Sequence, residues 1–95
     1  MAAYCIVDLL EVTDPAGFQG DAQKAGPTVA KYGGKLVARG KAETFEGDWK
    51  PGTLVMLEFP SAARAKEWYF STEYQEIKTL RTKASRANFI LVEGV

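Results

Sequence analysis

The sequence contains no histidine, and that single absence excludes more chemistry than any residue present suggests. Without an imidazole there is no Ser-His-Asp or Cys-His nucleophile pairing, and the usual zinc ligand and the commonest general base are both missing. An all-carboxylate metal site would have to use Asp8, Glu58 and Glu93, whose positions show no metal-ligand spacing, so no metal is expected. Cys5 stands alone, which rules out an internal disulfide and agrees with a reducing compartment. Net charge is absent too: twelve basic residues balance twelve acidic ones, leaving no electrostatic footprint for nucleic acid or an anionic membrane. No apolar run approaches the roughly 20 residues of a membrane span, and the N-terminal MAAYCIVDLLEV lacks a basic leader region. A cytoplasmic protein is expected.

What is present reads as one small domain over residues 1–95. Ala3 to Val12 alternates as a strand that is largely apolar on both faces. Asp14-Pro15 starts a helix, because Asp caps free N–H groups and proline at the first helical position lacks one. Phe18, Ala22, Ala25, Val29 and Tyr32 draw one stripe along it. Gly26-Pro27 interrupts that stripe, which predicts a kink or two short helices, and Gly33-Gly34 closes it. Lys35 to Gly40 reads as a second strand that resumes through Glu43 to Phe45 after an irregularity at Gly40. The turn EGDWKPG leads to the third, Leu54 to Phe59. Pro60 ends that strand and Ser61 caps a helix carrying Ala62, Ala65, Trp68 and Tyr69 on one stripe. Thr72 and Gln75 stand in capping-box register, so the helix restarts near Ser71 with Tyr74, Ile77, Leu80, Arg81 and Ala84 on a second stripe. Ala87 to Glu93 is the last strand.

The succession strand, helix, strand, strand, helix, strand is the split βαβ arrangement, an α+β fold with a four-stranded antiparallel sheet and its helices on one face. The aliphatic set Cys5, Val7, Leu9, Leu36, Ala38, Val55, Leu57, Phe59, Ile90 and Val92 suits the covered face. The opposite set is Tyr4, Ile6, Asp8, Leu10, Val37, Arg39, Leu54, Met56, Glu58, Phe89, Leu91 and Glu93, too greasy to meet water in a monomer. A homodimer with a cavity between two such faces is expected.

The string YGGKLVARG, then FEGDW, then LVMLEFPSAARAKEWYFSTEYQEIKTLR resembles the DUF1330 family of small bacterial proteins over nearly the whole chain, from VTDP at Val12 to LVEG at Leu91. That resemblance implies a ferredoxin-like, dimeric α/β barrel and no established reaction.

Within this frame Asp8, Arg39 and Glu58 are the sharpest candidates for a site, each being the charged member of a mostly apolar row. Converging, they form either an anion-binding group with one carboxylate poised as a base or a structural ion network across the dimer. Trp68, Tyr69 and Tyr74 lie at helical spacing, the mark of a core stripe, while Tyr74 and Ser71 are placed to present hydroxyls at a pocket rim. Trp49, in a Gly/Pro turn, either clamps a neighbouring subunit or lids a pocket. Gly33-Gly34 follows a helix where a phosphate loop precedes one, and no cofactor is expected. The sheet lacks the basic, aromatic surface of an RNA-recognition module. The function expected is binding of a small, partly apolar or anionic molecule in the cavity beneath the sheet. The alternatives are cofactor-independent chemistry of a monooxygenase or isomerase type and a purely structural or stress-response dimer.

Overall fold

The computed structural model describes residues 1–95. Its elements are β1 (Ala3–Val12), α1 (Pro15–Lys31), β2 (Lys35–Lys41), β3 (Thr53–Phe59), α2 (Ala62–Tyr69), α3 (Thr72–Ala84) and β4 (Ser85–Glu93). The sheet order is β2-β3-β1-β4 with every neighbour antiparallel, which is the ferredoxin-like arrangement with β1 and β3 central.

Local chemistry sets the element ends. Asp14 accepts from the Gly17 N–H at 3.2 Å and Pro15 occupies the first helical turn, so α1 starts where an orphan donor finds an acceptor. At its other end Gly33 takes a φ of 81°, and the Gly33 and Gly34 N–H groups donate to the Ala30 and Val29 carbonyls. This is a Schellman closure, which glycine adopts without a Cβ penalty. Ser61 caps α2 through the Arg64 N–H.

The core sits at one end of the layer, around Trp68. Its ring lies 4.1 Å from that of Tyr74 and 5.3 Å from that of Phe59, with Cys5, Val29, Ala65 and Ile77 completing the buried cluster. The Trp68 indole N–H donates to the Thr28 hydroxyl at 3.0 Å, and that hydroxyl donates to the Ala25 carbonyl at 2.7 Å, so the buried polar edge of the ring is satisfied.

Several sequence expectations need correcting. Helix α1 runs unbroken through Pro27 rather than dividing in two. Gly26 and Pro27 lie on its exposed side, and the Gln23 carbonyl that proline leaves without a donor is on an exposed residue too, open to solvent. The restart of the second helix is capped by Ser71 rather than Thr72, the Ser71 hydroxyl accepting from the Tyr74 N–H at 3.2 Å. Residues 43–45 are not a strand, since β2 ends at Lys41. The β2 irregularity falls at Val37, not Gly40: Leu36 pairs with Leu57 while Ala38 pairs with Met56. One extra residue turns all later β2 side chains over. Arg39 therefore shares the helix-covered side with Val55, and Ala38 does not. In β4 the faces are the reverse of expectation. Cys5 stands opposite Leu91 and Val7 opposite Phe89, whereas Ile6 stands opposite Ile90 and Tyr4 opposite Val92. Phe89 and Leu91 pack on the core, while Ile90 and Val92 are exposed on the uncovered face.

Candidate functional site

Asp8, Arg39 and Glu58 do not come together. Glu58 pairs with Tyr4, four positions along β1 from Asp8, or about 13 Å at strand rise, and Arg39 lies on the other side of the sheet. Glu58 has its own partner in Lys35, at 3.5 Å.

Asp8 is only 4% exposed although it lies on the face without helices, because the loop between β2 and β3 folds over it. One carboxylate oxygen accepts from the Trp49 indole N–H at 3.0 Å and the other from the Gly52 backbone N–H at 2.8 Å. Thr44 adds a hydroxyl bond to the Trp49 carbonyl at 2.7 Å. Asp8 and Trp49 thus form one anchor that fixes the loop, with the Trp49 ring still 58% exposed. Gly52 is required there by close approach, since a Cβ would lie 2.0 Å from the Leu9 carbonyl oxygen. Ser71 is committed to the helix joint as well, donating to the Trp68 carbonyl at 2.7 Å while capping α3.

The space able to hold a molecule lies on the opposite side of the sheet, between α1 and the strands. Helix α1 leans on α3 rather than on the sheet, and the residues it brings to the space, half-buried Ala25 with Ala22, Gly26 and Ala30 at the exposed rim, are too small to reach across. A cavity of about 560 Å³ remains above Val7, Leu9, Val55 and Leu57. That volume lies within the roughly 300–1,000 Å³ range of small-molecule sites. Trp68, Tyr74, Phe18 and Phe89 supply aromatic walls, and Arg39 borders the cavity from the exposed edge strand β2. Of the residues singled out from the sequence, Arg39, Trp68 and Tyr74 line this cavity; Asp8, Trp49, Glu58 and Ser71 do not.

Four further polar residues line it, Lys35, Thr53, Asp21 and Arg81, the last two from the helices. Asp21 of α1 is 7% exposed, and Arg81 of α3 has its Nε buried without a hydrogen-bond partner. Neither belongs to any of the four ion pairs of the structure. Burial pushes the Tyr74 hydroxyl above its ordinary pKa, with the neighbouring Arg81 guanidinium pulling the other way. Tyr74 therefore stays a protonated donor at neutral pH. Cys5, behind this wall, is pushed up to about 11 by burial alone, which leaves it an unreactive thiol. A signal for the missed pair was present in the sequence. Asp21 stands three residues after Phe18 and four before Ala25, and Arg81 four after Ile77, so each is a charge set on the apolar stripe of its helix.

The chain matches the family described as "Domain of unknown function (DUF1330)" over residues 2–95, and it belongs to that family. None of the proteins with curated descriptions matches it in sequence. Among solved structures it is similar to a protein of unknown function from Rhodopseudomonas palustris, at 18% identity and a TM-score of 0.78, covering 99% of this chain and 82% of that one. It is also similar to SnoaB, a cofactor-independent oxygenase from Streptomyces nogalater, at 12% identity and a TM-score of 0.72, covering 99% and 93%. A third is a dimeric ferredoxin-like protein of unknown function from a Jannaschia species, at 13% identity and a TM-score of 0.65, covering 99% and 100%. At these identities the likeness is one of fold. No helix is long and apolar enough to cross a membrane.

Proposed function

We propose that this member of the DUF1330 family binds a small, largely apolar molecule in the space between α1 and the sheet. The observation that carries the reading is the cavity of about 560 Å³, left open by the small residues of α1 and walled by aromatic side chains, with Asp21 and Arg81, which join no ion pair, among its lining residues. The space is open to solvent along α1 and β2, where Ala22, Gly26, Ala30, Leu36 and Arg39 are exposed, so a ligand has a way in. The test is a thermal-shift screen of small aromatic and aliphatic compounds. A ligand at 100 times its Kd stabilises by about 2.7 kcal/mol, which in a domain of this size raises Tm by roughly 10 °C or more. A screen without saturable shifts contradicts the reading and favours a structural dimer.

The second reading is cofactor-independent catalysis. It is supported by the shared fold with SnoaB, itself described as a cofactor-independent oxygenase, and by the carboxylate of Asp21 in an apolar cavity. Turnover of the screening hits separates it from binding alone.

We also propose a homodimer formed through the uncovered face, where Tyr4, Ile6, Leu54 and Met56 adjoin Ile90 and Val92, the last two 55% and 47% exposed. The dimeric ferredoxin-like relative of the same fold supports it. Sedimentation should give a dimer at micromolar concentration for the native chain and a monomer for Ile90→Glu; a native monomer there removes the proposal.

A further inference from the structure

Resting on the homodimer proposed above, we infer that the loop between β2 and β3, residues 42–52, is its clasp: Phe45 and Trp49 of each copy close on the bare apolar end of the other copy's sheet. The loop is held over the uncovered face by its own hydrogen bonds. The Trp49 indole N–H is taken by Asp8 at 3.0 Å, and the Thr44 hydroxyl closes the loop on the Trp49 carbonyl at 2.7 Å. Trp49 is nevertheless 58% exposed, and Phe45, next to Thr44, is 89% exposed. An indole whose polar edge is satisfied inside the chain while its apolar surface stands in water is set for a partner surface. Because the loop is already fixed, docking it costs little further ordering.

The occupant is a second copy because the face has two unlike ends that fit each other. Asp8, under the loop, stands level with Leu54 and Asn88; about 13 Å away along β1, Tyr4 stands level with Val92, with Ile6 and Ile90 between. One end is raised by the loop and the other is bare, with Ile90 55% and Val92 47% exposed. A two-fold axis running across the strands lays the raised end of each copy on the bare end of the other, whereas an axis along the strands sets loop against loop. Area points the same way. Four strands about 4.8 Å apart, with seven paired residues at about 3.3 Å rise, make a footprint of roughly 450 Å². Tyr4, Ile6, Leu54 and Met56 on it are already half-buried. Each partner of a stable complex gives roughly 800 Å², so the strands alone fall short. Covering two aromatic side chains adds about 150–250 Å² apiece and brings the face to that size.

The test is sedimentation of the native chain and of Phe45→Ser, with circular dichroism to show that the fold is kept, as expected for a residue so exposed. The dimer Kd should rise at least about thirtyfold, since a symmetric dimer loses the ring twice. Cross-linking then reads the arrangement. Glu46→Cys, which keeps both aromatic residues, is mixed with nitrogen-15-labelled Val92→Cys and treated with a short bis-maleimide, from which Cys5 is shielded by burial. The mixed product should dominate. A native dimer whose Kd moves less than about threefold in Phe45→Ser, or one that gives no mixed product, overturns the clasp and leaves the dimer standing. So does a dimer whose Glu46→Cys chains cross-link mainly to each other, which is the loop-on-loop arrangement. A native chain that sediments as a monomer at micromolar concentration removes both.

Discussion

Replacing Asp8 by alanine should cost this small domain about 3 kcal/mol. The carboxylate receives two charge-assisted hydrogen bonds, from Trp49 and Gly52, and bonds of that type contribute about 1.5–3 kcal/mol each. The two losses are unequal. Trp49 is more than half exposed, so its freed indole N–H finds water and the loss there is below about 1 kcal/mol. The Gly52 N–H is held against β1 in a partly buried hydrogen bond, and its loss is about 2 kcal/mol. Asp8→Asn should fall between, at about 1–2 kcal/mol, because the amide keeps one acceptor and presents a donor to a donor. Trp49→Phe should cost less than about 1 kcal/mol. Urea unfolding measures all three: at an m-value of about 1 kcal/mol/M, Asp8→Ala lowers the midpoint by roughly 2–3 M. Arg39→Met, on the other face, should shift the midpoint by less than about 0.5 M and show no coupling to Asp8 in a double-mutant cycle. An Asp8→Ala change below about 0.5 kcal/mol, or strong coupling to Arg39, would refute the anchor and restore the ion network.

Other consequences are equally direct. Gly52→Ala should destabilise by several kcal/mol or prevent folding, because the added Cβ meets a backbone carbonyl at 2.0 Å and neither strand nor loop can yield easily; a change within about 0.5 kcal/mol in urea unfolding contradicts the close approach. Ala25→Leu should fill the cavity from α1, abolishing probe binding with stability equal or higher, whereas a loss beyond about 2 kcal/mol would mean that the site is already packed. Cys5 should resist a disulfide reagent at pH 8 except through unfolding, and labelling as fast as a free thiol would place it outside the core. Its folded pKa of about 11 stands above the ordinary 9.0, so its contribution to stability is complete below pH 9 and is lost as pH rises toward 11. Cys5→Ala should flatten that part of the stability profile.

The elements were readable because caps and periodicity are local: Asp14-Pro15, Ser61, the break at Ser71 and Gly33-Gly34 act within a turn of where they stand. Which row of a strand faces the helices is not local. In β4, Phe89 and Leu91 are about as apolar as Ile90 and Val92, so alternation alone cannot choose between them, and pairing with β1 decides. The extra residue at Val37 reverses Arg39 without leaving a mark in the sequence, and with it went the proposed cluster with Asp8 and Glu58. The cavity escaped notice for a related reason. A stripe of alanines and glycine on α1 reads as close packing, and only the placement of α1 against α3 shows that it leaves space instead. Asp21 and Arg81 are charges on apolar helix stripes, and the sharing of one cavity appears only in the fold.

The most direct measurement is a methyl-resolved NMR titration with the best-binding probe, because the two sides of the sheet carry different methyl groups. We expect shifts and probe contacts at Val7, Leu9, Val55 and Leu57, beneath α1. Shifts confined to Ile6, Leu54, Ile90 and Val92 would put the occupant on the face without helices and contradict the site assigned here.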